Sequence, residues 1–141
     1  MPPQRTTPKN GKTSPTFPSG RDYDPFDHAH ALGIQVIVRP IRTANELWLP
    51  DHKTIVLRDG LRHVHQRTAL AHGIGHADLG HRDDRPKHEV QADRYAAENL
   101  IDYDELVDLM RWTPDPARLS LELGVTVRLL RVYLNVHRLA E

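Results

Sequence analysis

The strongest constraint on this chain is a pair of histidines one helical turn apart, His72 and His76, enclosing Gly73, Ile74 and Gly75. From Leu61 the apolar pattern takes a helical period, with Leu61, Val64, Thr68, Ala71 and Gly75 on or near one face. Histidines at i and i+4 leave such a helix on the same side. Both imidazoles can then reach one zinc ion at about 2.0–2.1 Å, given a third donor and an open fourth position. The fold must therefore bring a second segment against this helix. The next helical pattern, from Pro86-Lys87 to about Ile101, offers Glu89 as that donor. Asp93 shares its face, and the small Ala92 and Ala96 beside them permit a close approach. Asp93 is placed to accept a hydrogen bond from the far nitrogen of a ligating histidine and so fix its tautomer.

The segment before the histidine helix reads differently. Asp24-Pro25 is a helix start, an N-cap followed by proline at the first helical position, and Gly33 stops that helix after about Leu32. The β-branched run Ile34 to Val38 reads as a strand, which Pro40 ends or confines to an edge. Glu46–Leu49 and Thr54–Leu57 are two further short strands, with Pro50 to Lys53 as the turn between them. The histidine helix stops at Gly80. Beyond the second motif helix, a short helix is expected over Asp104 to Met110 and another from Asp115-Pro116 to Gly124. Thr126 caps a last helix to about Leu139, whose expected buried stripe is Val125, Leu129, Val132 and Val136. The expected class is α+β: a small antiparallel sheet packed with a pair of motif helices, followed by C-terminal helices. Residues 1–22, with five prolines among Thr, Ser, Lys and Gly, read as a disordered tail, and 23–141 as one domain, with 104–140 a helical subregion.

Composition narrows the function. With no cysteine among the 141 residues, disulfides, thiolate zinc sites, iron–sulfur clusters and thiol catalysis are excluded. Equal numbers of basic and acidic residues, 19 each, argue against binding nucleic acid through a large basic field. No apolar stretch approaches the roughly 20 residues that span a bilayer, and the N-terminus carries no apolar signal segment, so the expectation is a cytoplasmic protein without a membrane partner. Six of the ten histidines fall between His63 and His88. Of these, His65 and His81 are candidates for a cleft around the pair, as are His63 and His88. His28, His30, His52 and His137 form no pattern.

Arg67 to His81, read together with Glu89 to Leu100, resembles the ImmA/IrrE family of zinc metallopeptidases, whose two helices run roughly LAHELGHxxLGH and ExEADxFAAxLL. The upstream helix, strand and hairpin also fit, and the likeness is good over about residues 26–101. The resemblance implies a zincin-like fold with zinc held by His72, His76 and Glu89. It also implies a protein substrate or partner, such as a helix-turn-helix repressor of a phage or mobile element. One position departs from the family. The motif HExxH carries its general base directly after the first histidine, and here that residue is Gly73. Loss of such a group typically costs about 10²- to 10⁴-fold in rate. Asp78, Glu98, His65 and Glu46 come into question as substitutes, and the sequence places none of them at the site.

Three functional readings follow. The first is a metallopeptidase acting on a regulator, with activity reduced or lost through Gly73. The second is a zinc-binding pseudopeptidase that holds a protein without cutting it. The third is a DNA-binding regulator using residues 119–130, which have the rhythm of a helix-turn-helix, with Arg128 and Arg131 as contacts. Any αα-corner can carry that rhythm, and nucleic acid is the less expected partner.

Overall fold

A computed structural model describes residues 17–139 of the chain. Most of the expected tail, residues 1–16, lies outside the described residues. Residues 17–22 belong to the fold. Gly20–Asp22 form a 3-10 turn, Phe17 packs its ring against those of Tyr23 and His28, and the buried Arg67 donates to the carbonyls of Gly20 and Tyr23.

The first helix, α1 (Pro25–Ala31), is capped by the Asp24 carboxylate, which accepts from the Phe26 amide. Gly33, at φ +73°, turns the chain out of it. Three strands follow: β1 (Gln35–Arg39), β2 (Glu46–Leu49) and β3 (Thr54–Arg58). The β2–β3 turn is a 3-10 segment closed by Lys53 in the left-handed region at φ +45°.

The sheet order is β1-β3-β2. The α+β class holds, but the sheet is mixed: β2 pairs antiparallel with β3, whereas β1 pairs with it in parallel. The hairpin partner already occupies one edge of β3, so β1 joins the opposite edge and runs alongside. The central strand is buried from Thr54 to Leu57, which suits its unbroken apolar sequence. The edge strand β2 alternates, with Glu46 and Trp48 turned inward and Leu47 and Leu49 exposed.

Next come α2 (His63–Asp78) and α3 (Pro86–Leu100), the two motif helices. Helix α2 is covered by the sheet and α1 on one side and by α3 on the other, so it buries Arg67, Ala69–Ala71 and Gly73–His76 without a single apolar stripe. Helices α4 (Tyr103–Met110), α5 (Pro116–Leu123) and α6 (Val127–Val136) close the fold, capped by Asp102, Asp115 and Thr126. One apolar core lies between α1, the sheet and α2, around Ile34, Ile55, Leu57, Leu70 and Ile74. A second fills the space between α3 and the last helices, around Leu100, Leu106, Leu119, Leu123 and Leu130. The stripe expected for the last helix is corrected here. Val125 and Leu129 are buried, but the others that α6 buries are Leu130, Tyr133 and Leu134, while Val136 is 38% exposed. Helix α6 packs against both α3 and α5, which widens its apolar face beyond one stripe. No helix among the described residues is long and apolar enough to cross a membrane.

Candidate metal centre

The two histidines of α2 meet where that helix crosses α3 and the edge strand β2. The Nε2 atoms of His72 and His76 are 3.1 Å apart. Glu89, in the first turn of α3, spans them: one carboxylate oxygen lies 3.0 Å from His72 Nε2 and the other 2.8 Å from His76 Nε2. A second carboxylate arrives from β2. Glu46 Oε1 is 3.8 Å from His72 Nε2, and donor atoms of Glu46, His72 and His76 lie within 4.8 Å of one another. The other Glu46 oxygen, Oε2, is buried without a hydrogen-bond partner. Two imidazole nitrogens and the carboxylate that spans them form a donor set that fits a divalent cation, and the unpaired Glu46 oxygen lies beside it.

The surrounding hydrogen bonds orient both rings. Asp93 Oδ1 is 2.9 Å from His72 Nδ1. A carboxylate there accepts the Nδ1 proton, leaving the Nε2 lone pair turned into the cluster. His76 is served by a longer chain. Gln91 Oε1 is 2.8 Å from His81 Nε2, and His81 Nδ1 is 2.9 Å from His76 Nδ1. With its Nε2–H donated in a hydrogen bond to Gln91 Oε1, His81 accepts at Nδ1, and His76 donates from Nδ1 and keeps its own Nε2 lone pair free. Asp93 is held in turn by the Arg128 guanidinium from α6.

The ionisation of these groups follows from their surroundings. Burial pushes the Glu46 carboxyl up to about 7, against the pull of His72 and with the help of Glu89. Burial works against the His72 cation, but the Asp93 hydrogen bond and the charges of Glu46, Glu89 and Asp93 outweigh it and raise the imidazole above its ordinary range. His76 is lowered, first by burial and then by His72. Burial alone would raise Asp93, but its bonds to His72 and Arg128 hold it below the usual carboxylate range.

Gly73 faces the sheet more closely than a side chain would ordinarily allow. A Cβ at this position would lie 3.0 Å from Glu46 Oε2 and 3.1 Å from Ile55 Cδ1. Gly75 faces α3, where a Cβ would lie 3.0 Å from that of Tyr95 and 3.2 Å from the Ala92 backbone. Both glycines answer to close packing.

Of the substitutes for the missing glutamate, Glu46 alone stands at the cluster by these distances. Asp78 accepts from the Tyr95 hydroxyl at 2.8 Å, and Glu98 pairs with His137. His65 lines a cleft of about 250 Å³ together with Glu46, His72, Glu89, Asp93 and Arg128. A second cleft, of about 470 Å³, is lined by Glu46, Trp48, His76, Arg82, Asp83 and Glu89. His81, expected in the cleft, is instead buried behind His76, because the chain folds back after Gly80 and Trp48 Nε1 donates to the His81 carbonyl. Gln91 and Arg128 are the residues whose place at the site sequence reasoning missed, and no sequence signal marked either. Sequence reasoning names Glu46 among the substitutes without a place; the inward alternation of Glu46–Leu49 and the packing of β2 supply it.

Among curated proteins nothing matches the chain. Among solved structures, its fold is similar to that of a Mycobacterium tuberculosis transcriptional regulator, at 19% identity and a TM-score of 0.55. That alignment covers 72% of this chain and 36% of the other, so the chain spans about a third of that protein's length. The family match is broader: the profile of peptidase family M78, the IrrE N-terminal-like domain, covers residues 29–135 and so takes in the sheet, both motif helices and the C-terminal helices. The chain therefore belongs to the ImmA/IrrE family of metallopeptidases.

Proposed function

We propose that this chain is a zinc-dependent metallopeptidase domain whose substrate or partner is a regulatory protein of the helix-turn-helix repressor class. The observation that carries the reading is the convergence of the Nε2 atoms of two oriented histidines and the Glu89 carboxylate at one point. His72, His76 and Glu89 would hold the ion, with Asp93 and His81 fixing the tautomers of the two rings. Bound there, zinc polarises a carbonyl and makes water a nucleophile near neutral pH. The clefts beside the cluster give a polypeptide segment room to approach it. The repressor as partner rests on the family resemblance.

Metal analysis of the full chain tests the centre. We expect about one zinc per chain, lost in His72→Ala and in Glu89→Ala; a native chain that takes up no zinc rules the reading out. For the partner, incubating the zinc-loaded chain with a helix-turn-helix repressor encoded beside it should give cleavage or co-elution. If neither occurs, that partner class is wrong.

A further inference from the structure

We propose that Glu46 is the general-base carboxylate of this site, delivered from strand β2 into the space that the family motif fills from the position of Gly73. The inference rests on the zinc reading above and deepens it. A Cβ built on Gly73 would stand 3.0 Å from Glu46 Oε2, so the strand carboxylate already occupies the volume that a side chain at 73 would enter. Glu46 is not consumed by a structural role there, because Oε2 is buried and unpaired. Its position is set by the sheet. Opposite Leu57 in the β2–β3 register, it points inward with Trp48, which is anchored to the His81 carbonyl. Both clefts beside the histidines are lined by Glu46, so a polypeptide in either one passes it.

Distances separate the two carboxylates by role. Glu89 touches both Nε2 atoms, at 2.8 and 3.0 Å, as a ligand should. Glu46 stands further back, 3.8 Å from His72 Nε2 and outside hydrogen-bond distance of it. A carboxylate so placed takes a proton from the attacking water. The water oxygen bonds to the peptide carbonyl carbon, the C–N bond breaks, and Glu46 passes the proton it took to the nitrogen, which leaves as an amine. The co-reactants are water and a polypeptide, and the products are a carboxylic acid and an amine.

The test uses the full chain with two probes: zinc alone, by chelator competition, and acetohydroxamate, which binds a zinc site while giving up a proton to a nearby base. Glu46→Gln should keep zinc affinity within about threefold, yet weaken acetohydroxamate at least about tenfold, the loss expected for one charge-assisted hydrogen bond. Glu89→Gln should lose zinc affinity itself. Gly73→Ala, whose methyl group would lie 3.0 Å from Glu46 Oε2 and so push the carboxylate back, should weaken acetohydroxamate in the same direction as Glu46→Gln. Three results overturn the proposal: zinc affinity falling in Glu46→Gln as it does in Glu89→Gln, which makes Glu46 a ligand; acetohydroxamate binding unchanged in Glu46→Gln, which makes it a bystander; or a zinc-loaded native chain that does not bind acetohydroxamate. A native chain that takes up no zinc overturns the metal reading instead, and is recognised before the second probe is added.

Discussion

Gly73 and Gly75 each cost helix α2 about 1 kcal/mol relative to alanine, and both sit where a neighbouring element touches the helix backbone. At Gly75 that neighbour is α3, whose Ala92 backbone would be 3.2 Å from an added Cβ. A backbone wall cannot swing aside as a side-chain tip can, so overpacking should outweigh the gain in helix propensity. Gly75→Ala is expected to destabilise the fold by about 1–3 kcal/mol, read as a lower urea midpoint. A midpoint raised by the propensity gain would mean the helices separate at little cost. Gly73 carries a related lesson. Restoring the family's glutamate there is the obvious repair from sequence, yet its Cβ alone would press on Glu46 and Ile55 at 3.0–3.3 Å.

Among the elements, α6 does more than cover the core. Its Arg128 holds Asp93 of α3, which in turn orients His72 of α2, so three helices set one ring. The Arg128 side chain is 69% exposed, so its removal should change stability by no more than about 1 kcal/mol. Loss of such an orienting partner typically lowers metal affinity about 10- to 100-fold. Arg128→Ala should therefore weaken zinc binding while leaving the urea midpoint nearly unchanged; unaltered zinc affinity would sever α6 from the site. The buried face of the same helix gives a second expectation. Leu130 is fully buried and Val136 is 38% exposed, so Leu130→Ala should cost about 2–5 kcal/mol. Val136→Ala should stay within about 1 kcal/mol. Equal losses in parallel denaturation curves would contradict the corrected stripe.

At the scale of the whole molecule, α2 stands between the two apolar cores, and the histidine cluster joins it to α3 and to the sheet edge. An ion held there links segments from both sides. Free zinc at a hundredfold excess over its dissociation constant should stabilise the fold by about 2.7 kcal/mol, seen as a higher melting temperature that chelation reverses. His72→Ala should remove the shift, and an equal shift in that variant would put the binding elsewhere on the chain.

Much of this was legible in the sequence because it is local. Asp24-Pro25, Asp115-Pro116 and Thr126 start helices where the structure has them, since an N-cap and a proline act within one turn. His72 and His76 share a face because the helix repeat fixes it, and Glu89 and Asp93 follow one turn apart on the next helix. The parallel pairing of β1, the burial of His81 and the reach of Arg128 into the site were decided by tertiary structure, as was the role open to Glu46. Each depends on the distance between segments far apart in the chain, which no periodicity encodes. Glu46 lies 26 positions before His72 in sequence, and only the β2–β3 register and the close approach of a glycine-bearing helix to the sheet bring its carboxylate to the histidines. The sequence by itself determined that a histidine pair and a glutamate would converge on two helices; packing decided which carboxylate fills the place left by Gly73.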